Sequence, residues 1–150
     1  MVKILSNKYF LLILRVLLGF IFIFAAIEKI VSPESFAVSI SNYKLIPPEL
    51  INIPAIIIPW IELTSGLLLI LGVMVKENSA IITFLLVVFS AAIIVSLLRG
   101  LNINCGCFGT IYGSRIGLLK VVENLLQILC GIILMRWGSS IFNIDAKMRL

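Results

Sequence analysis

The chain has 150 residues, 61% of them hydrophobic and 13% charged. Soluble domains carry roughly 45–50% apolar and about 25% charged residues, so a soluble globular fold is excluded. The net charge of +5 is scattered over segment ends (Lys3, Lys8, Lys76, Arg99, Arg136), a pattern that suits membrane orientation and lacks the basic stripe of a nucleic-acid binder.

Four apolar runs follow one another, each close to the ~20 residues that a spanning helix needs. The first covers about 9–30 and follows Lys8. It is longer than the ~7–15 residues of a signal-peptide core and no A-x-A-like site follows, so a retained helix is expected. Ser32-Pro33-Glu34 then reads as a stop and the first turn of a short helix. Glu34 to Leu45 mixes apolar and polar residues and reads as a helix lying along the membrane interface, ended by Pro47-Pro48.

The second run covers about 53–75, the third about 79–98 and the fourth about 116–137. Lys76-Glu77-Asn78 reads as the connector between the second and third. Arg99 to Arg115 connects the third and fourth. Backbone groups in lipid must be satisfied within the segment, which makes these runs helices. Short connectors make neighbours antiparallel. The expectation is therefore all-α: one integral membrane domain, an up-and-down four-helix bundle with a short interfacial helix between the first and second spans. Lys3 and Lys8 precede the first span and only Lys29 closely follows it. This favours cytoplasmic termini and an extracytoplasmic loop between the last two spans.

That loop holds Cys105-Gly106-Cys107 within a polar break, Leu101 to Thr110. A disulfide wants Cα atoms roughly 4.4–6.8 Å apart, which residues two apart reach in a turn, and Gly106 supplies the freedom to make it. So small a ring is strained, and strained disulfides exchange rather than staple. The same two thiols could instead capture a soft ion such as Cu(I). A closed zinc site is short of ligands, because the chain has no histidine. Cys130, the third cysteine, lies about 14 residues into the fourth helix, roughly 20 Å below the loop. It reads as a buried small hydrophobe.

Lys120, Glu123, Asn124 and Gln127 are spaced to share one face of the fourth helix, with Lys120 and Glu123 able to pair at i, i+3. Glu62 sits early in the second helix after Pro59. Charges within a span usually face the bundle interior and mark function, although a structural ion pair is the plainer alternative. In an antiparallel bundle Glu28, Glu62, Lys120 and Glu123 converge on the half of the membrane next to the cysteine loop. The candidate catalytic residues are Cys105, Cys107, Glu62, Lys120 and Glu123.

These residues resemble the MauE branch of the DoxX-like membrane proteins. The resemblance rests on Glu28-Lys29, on Asn42-Tyr43-Lys44-Leu45-Ile46-Pro47, and on Pro59-Trp60-Ile61-Glu62 with Gly66 and Gly72. It also rests on Cys105-Gly106-Cys107-Phe108-Gly109 and on Asn124, and covers about residues 8–137. It implies a four-helix cell-membrane protein linked to maturation of extracytoplasmic disulfide-containing proteins, with a thioredoxin-fold thiol partner of the MauD type. The pattern often has arginine before the asparagine of the fourth helix, where this chain has Glu123; an anion-binding role for that position does not carry over. Some DoxX-like members are quinone-linked, but no quinone signature is found, and no cofactor is expected. Together the readings point to a membrane thiol–disulfide oxidoreductase or redox accessory, with a soft-metal binding or transport protein as the alternative.

Overall fold

The computed structural model describes residues 7–100 and 118–138. Helix α1 spans Lys8–Val31, capped by Asn7, whose side-chain oxygen accepts from the Tyr9 amide at 3.2 Å. Helix α2 spans Pro33–Asn42. A single 3-10 turn, Pro48–Leu50, leads into α3, Asn52–Leu71. Helix α4 spans Val75–Leu98 and α5 spans Leu118–Trp137. Among the described residues there is no strand.

Three stretches are long and apolar enough to cross a bilayer: Lys8–Val31, Pro48–Leu71 and Val75–Leu98. Their surfaces agree with that reading. Ile13, Leu17, Phe20, Phe24 and Ile27 recur every three or four residues along α1, and all are exposed. An apolar ridge of this extent suits lipid and not water. The chain is a multi-pass membrane protein.

The helices pair as α1 on α3 and α4 on α5, with α3 also touching α4 and α1 touching α5. Glycine sets the α1–α3 distance. A Cβ placed on Gly19 would lie 2.9 Å from the Gly66 carbonyl oxygen, and one on Gly66 would lie 3.0 Å from the Gly19 carbonyl oxygen. Such close backbone approach is how helices associate where water supplies no hydrophobic drive. Leu11, Leu18, Phe22, Leu69, Ile82, Leu86 and Leu134 fill the core on the side of the α3–α4 connection.

That connection differs from the sequence expectation. Gly72 adopts a left-handed conformation (φ 74°). Its amide bonds the Leu69 carbonyl at 3.2 Å and the Val73 amide bonds the Leu68 carbonyl at 3.0 Å. This double closure satisfies the end of α3. Asn78 then donates its side-chain amide to the Val73 and Met74 carbonyls, at 2.9 and 3.1 Å. The turn is therefore Gly72 to Met74, and Lys76-Glu77-Asn78 lies in the first turn and a half of α4 rather than in a connector.

Helix α2 begins at Pro33, which has no amide proton to lose at a helix start. It buries Phe36, Ser39 and Ile40, the i, i+3, i+4 face, against the bundle. It ends at Asn42, short of the expected Leu45, because Lys44 takes a positive φ of 50°. Phe36, Ile40, Ile51 and Ala55 form a second apolar cluster here, and Tyr43 with Ile93 a third.

Candidate functional site

The inward face of α1 runs through Leu18, Phe22, Ala25 and Ala26, and its next position is Lys29. Continuing an apolar stripe with a lysine forces the ammonium into the protein. On α3 the matching inward positions are Ala55, Pro59, Glu62 and Gly66, three or four residues apart. Pro59 has no N–H to give the carbonyl four residues back, so it loosens the helix one turn before Glu62.

The two inward charges meet. Lys29 Nζ donates to Glu62 Oε1 at 2.7 Å and to Oε2 at 2.8 Å. The side chains are 1% and 3% exposed. Two rings enclose the ammonium: Phe36 from α2 and Phe89 from α4 each place a centroid 5.0 Å from Nζ. The rings themselves lie 6.5 Å apart, tilted by 50°. Four helices thus converge on one ion pair. Its charges cancel, both carboxylate oxygens are engaged, and the cation faces aromatic π-clouds, an arrangement suited to a medium without water.

Ser90 follows Phe89 on α4, so it lies at the same depth on another face. It faces α5, where Asn124 donates Nδ2 to Ser90 Oγ at 3.2 Å. Asn124 is 1% exposed, and its Oδ1 has no protein donor among the described residues. Gln127 Oε1, one turn deeper, is likewise buried without a protein donor there. Toward the start of α5, Lys120 Nζ donates to Glu123 Oε2 at 2.7 Å, forming the i, i+3 pair that the spacing suggests. Tyr43, at the end of α2, is buried against Ile93 and partly buried Val121. Burial pushes its hydroxyl from 10.0 up to about 12.

The sequence candidates therefore divide. Glu62 is paired with Lys29, while Lys120 and Glu123 are paired with each other. Cys105 and Cys107 lie outside the described residues. Cys130 is a half-buried free thiol on α5. Sequence reasoning placed Glu28-Lys29 at a helix end and missed Lys29 as the partner of Glu62. The signal was present: Lys29 continues the inward stripe at Leu18, Phe22 and Ala25–Ala26. The aromatic enclosure by Phe36 and Phe89, and Ser90 as the partner of Asn124, carried no sequence signal, since each depends on which helices become neighbours.

The profile of the family described as "Methylamine utilisation protein MauE" matches residues 7–137. The chain belongs to the MauE family. It is 29% identical over 114 residues to the methylamine utilization protein MauE of Paracoccus denitrificans, covering 75% of this chain and 61% of that one. It is 35% identical over 103 residues to MauE of Methylophilus methylotrophus, covering 67% of this chain and 54% of the relative. Protein TlpB of Flavobacterium psychrophilum is 31% identical over 133 residues, which make up 82% of this chain but 35% of TlpB. The chain thus spans between about half and three-fifths of the MauE relatives, and about a third of TlpB. No solved structure matches it.

Proposed function

We propose that this MauE-family protein is the membrane component of a thiol–disulfide exchange that supports maturation of disulfide-containing proteins outside the cytoplasm. In this reading α5 is a fourth span, both termini are cytoplasmic, and the segment bearing Cys105 and Cys107 faces the extracytoplasmic side, where disulfides persist. The partner is a thioredoxin-fold thiol protein of the MauD type. A thiolate of the pair attacks the partner's disulfide and expels one partner thiolate, giving a mixed disulfide. The second cysteine of the pair then displaces the partner as a dithiol and closes the Cys105–Cys107 ring. Two electrons and two protons move in total, and the exchange runs equally in reverse.

One observation carries the reading. Helix α4 ends at Leu98 and α5 begins at Leu118, both at the end of the bundle nearest the Lys29–Glu62 pair. Phe89, which packs on Lys29, lies nine residues before the end of α4, roughly 14 Å below it. A closed, charge-neutral pair at that depth ties α1 to α3 at this end of the bundle. In this reading it acts as a positioning element that keeps this end of the bundle rigid while the thiols react. Arg99, just past the end of α4, and Lys120, on the first turn of α5, are the described cations that flank the cysteine segment in sequence, and nearby cations favour thiolate.

Trapping tests this. With either Cys105→Ser or Cys107→Ser, the remaining thiol should accumulate a mixed disulfide with a thioredoxin-fold protein in one of the two variants. Absence of any covalent adduct in both, together with stoichiometric soft-metal retention by the reduced parent, would replace the exchange reading with a metal-binding one.

A further inference from the structure

An apolar cavity of about 130 Å³ opens between α2, α3 and α4. Ile40 of α2 and Tyr43, just past its end, form one wall, Ile58 of α3 a second, and Leu85, Phe89 and Ala92 of α4 the third. Every lining residue is apolar or, for Tyr43, aromatic. Its volume approaches that of an engineered ~150 Å³ cavity that stays dry and takes up a benzene ring. Water therefore gains nothing by entering, and a hydrogen-bonding headgroup or polar ring would find no partner among the lining side chains that face it.

The mouth tells what does enter. Val88, Leu45 and Ile46 also line the cavity and are exposed, at 47%, 45% and 38%. The cavity thus opens onto the surface that faces lipid, at the level of the turn leaving α2. Lys44 stands between two lining residues, Tyr43 and Leu45. It is exposed, has a positive φ of 50°, and makes no ion pair among the described residues. Glu49, the nearest acid in sequence, lies beyond Pro47-Pro48, three residues past the last lining position of that turn. A hydrocarbon slot with an exposed cation set between two of its lining residues, and without an ion pair among the described residues, complements one molecule class: an acyl chain attached to a phosphate headgroup.

We infer that this cavity is a phospholipid site, with one acyl chain inserted between α3 and α4 and the headgroup phosphate held at Lys44. The site is independent of the thiol chemistry, yet it touches the ion pair. Phe89 is at once a wall of the cavity and one of the two rings on Lys29. A seated chain presses Phe89 against the ammonium, so occupancy tightens the junction of the four helices.

The test uses the full-length protein reconstituted with phosphatidylglycerol carrying a photoactivatable diazirine in its acyl chain. Crosslinks should concentrate several-fold on the stretches 54–58 and 85–92, relative to the lipid-facing ridge at Ile13, Phe20 and Phe24. Diacylglycerol with the same chain should label those stretches several-fold less. Lys44→Glu should erase the difference between the two lipids. Ala92→Phe and Ile58→Phe, each filling the cavity from a different helix, should each remove the concentrated labelling. Labelling spread evenly along all exposed apolar surfaces of the parent would overturn the site. Equal labelling by the two lipids in the parent would overturn the role of Lys44.

Discussion

Lys29 and Glu62 lie 33 residues apart in sequence and 2.7 Å apart in space, and their contact joins α1 to α3 inside the bundle. A pair this deeply buried is worth less than the damage done by breaking it. Lys29→Met or Glu62→Leu leaves its partner without its counterpart and should cost about 3–5 kcal/mol, whereas the double apolar replacement Lys29→Met/Glu62→Leu should recover most of the loss. A double-mutant cycle on unfolding in mild detergent measures this. If the two single losses simply add in the double variant, the residues are not coupled. The same pairing makes reduced stability the first effect expected of Glu62→Gln, ahead of any change in exchange rate.

The α1–α3 contact depends equally on what is missing from two positions. Gly66→Val would push a branched side chain into the Gly19 carbonyl and Ile23, which lie 3.0 and 3.1 Å from its first carbon. The expected loss is about 1–3 kcal/mol, as for other overpacked sites. Gly131 gives a parallel case, since a side chain there would collide with Thr83 Oγ1. Thermal denaturation of the purified variants reads both, and unchanged midpoints would mean that the helices can separate freely at these crossings.

Tyr43 gives a pH signature. Burial raises its pKa from 10.0 to about 12, so the folded protein holds this proton more tightly than the unfolded chain. The stability involved is fully present below pH 10 and is lost as pH rises toward 12. Two units correspond to about 2–3 kcal/mol by linkage. Tyr43→Phe should flatten the loss of stability between pH 10 and 12 relative to the parent. Parallel slopes for the two proteins would show that the hydroxyl is solvated.

Much of the fold is legible from composition and spacing because the bilayer imposes both. The apolar runs locate the helices, and the polar line on α5 gives the Lys120–Glu123 pair at its expected spacing. Boundaries set by backbone hydrogen bonds are less legible. Lys76-Glu77-Asn78 looks like a loop by polarity, but the closure at Gly72 and the Asn78 bonds draw it into α4. Partner choice across helices is the hardest to read. Glu62 has several cations within reach of an antiparallel bundle, and only the packing of α2 and α4 around Lys29 selects one. The cavity beneath Tyr43 has no sequence pattern, since its walls come from three helices that each look like ordinary apolar segments.

Cys130 lies on α5 one turn below Gln127 and is half-buried. Its thiol has no part in the proposed exchange. Cys130→Ala should leave the redox behaviour of Cys105 and Cys107 unchanged, as read by alkylation and mass spectrometry across a range of potentials. A native disulfide between Cys130 and either loop cysteine would show that the loop dips into the bundle.

The orientation is tested by a membrane-impermeant thiol reagent applied to intact cells after mild reduction. Labelling of Cys105 or Cys107 before permeabilisation is expected. Labelling that appears only after permeabilisation would reverse the topology and remove the oxidising compartment on which the proposal depends.

The most direct measurement is a redox titration of the Cys105–Cys107 pair in the reconstituted protein, with thiols trapped at each potential and counted by mass. The proposed function predicts a single two-electron transition between dithiol and disulfide, shifted or abolished in neither Cys130→Ala nor the lipid-site variants. A pair that stays reduced at every potential, or a double Cys105→Ser/Cys107→Ser variant that still supports maturation of disulfide-containing proteins, would contradict it.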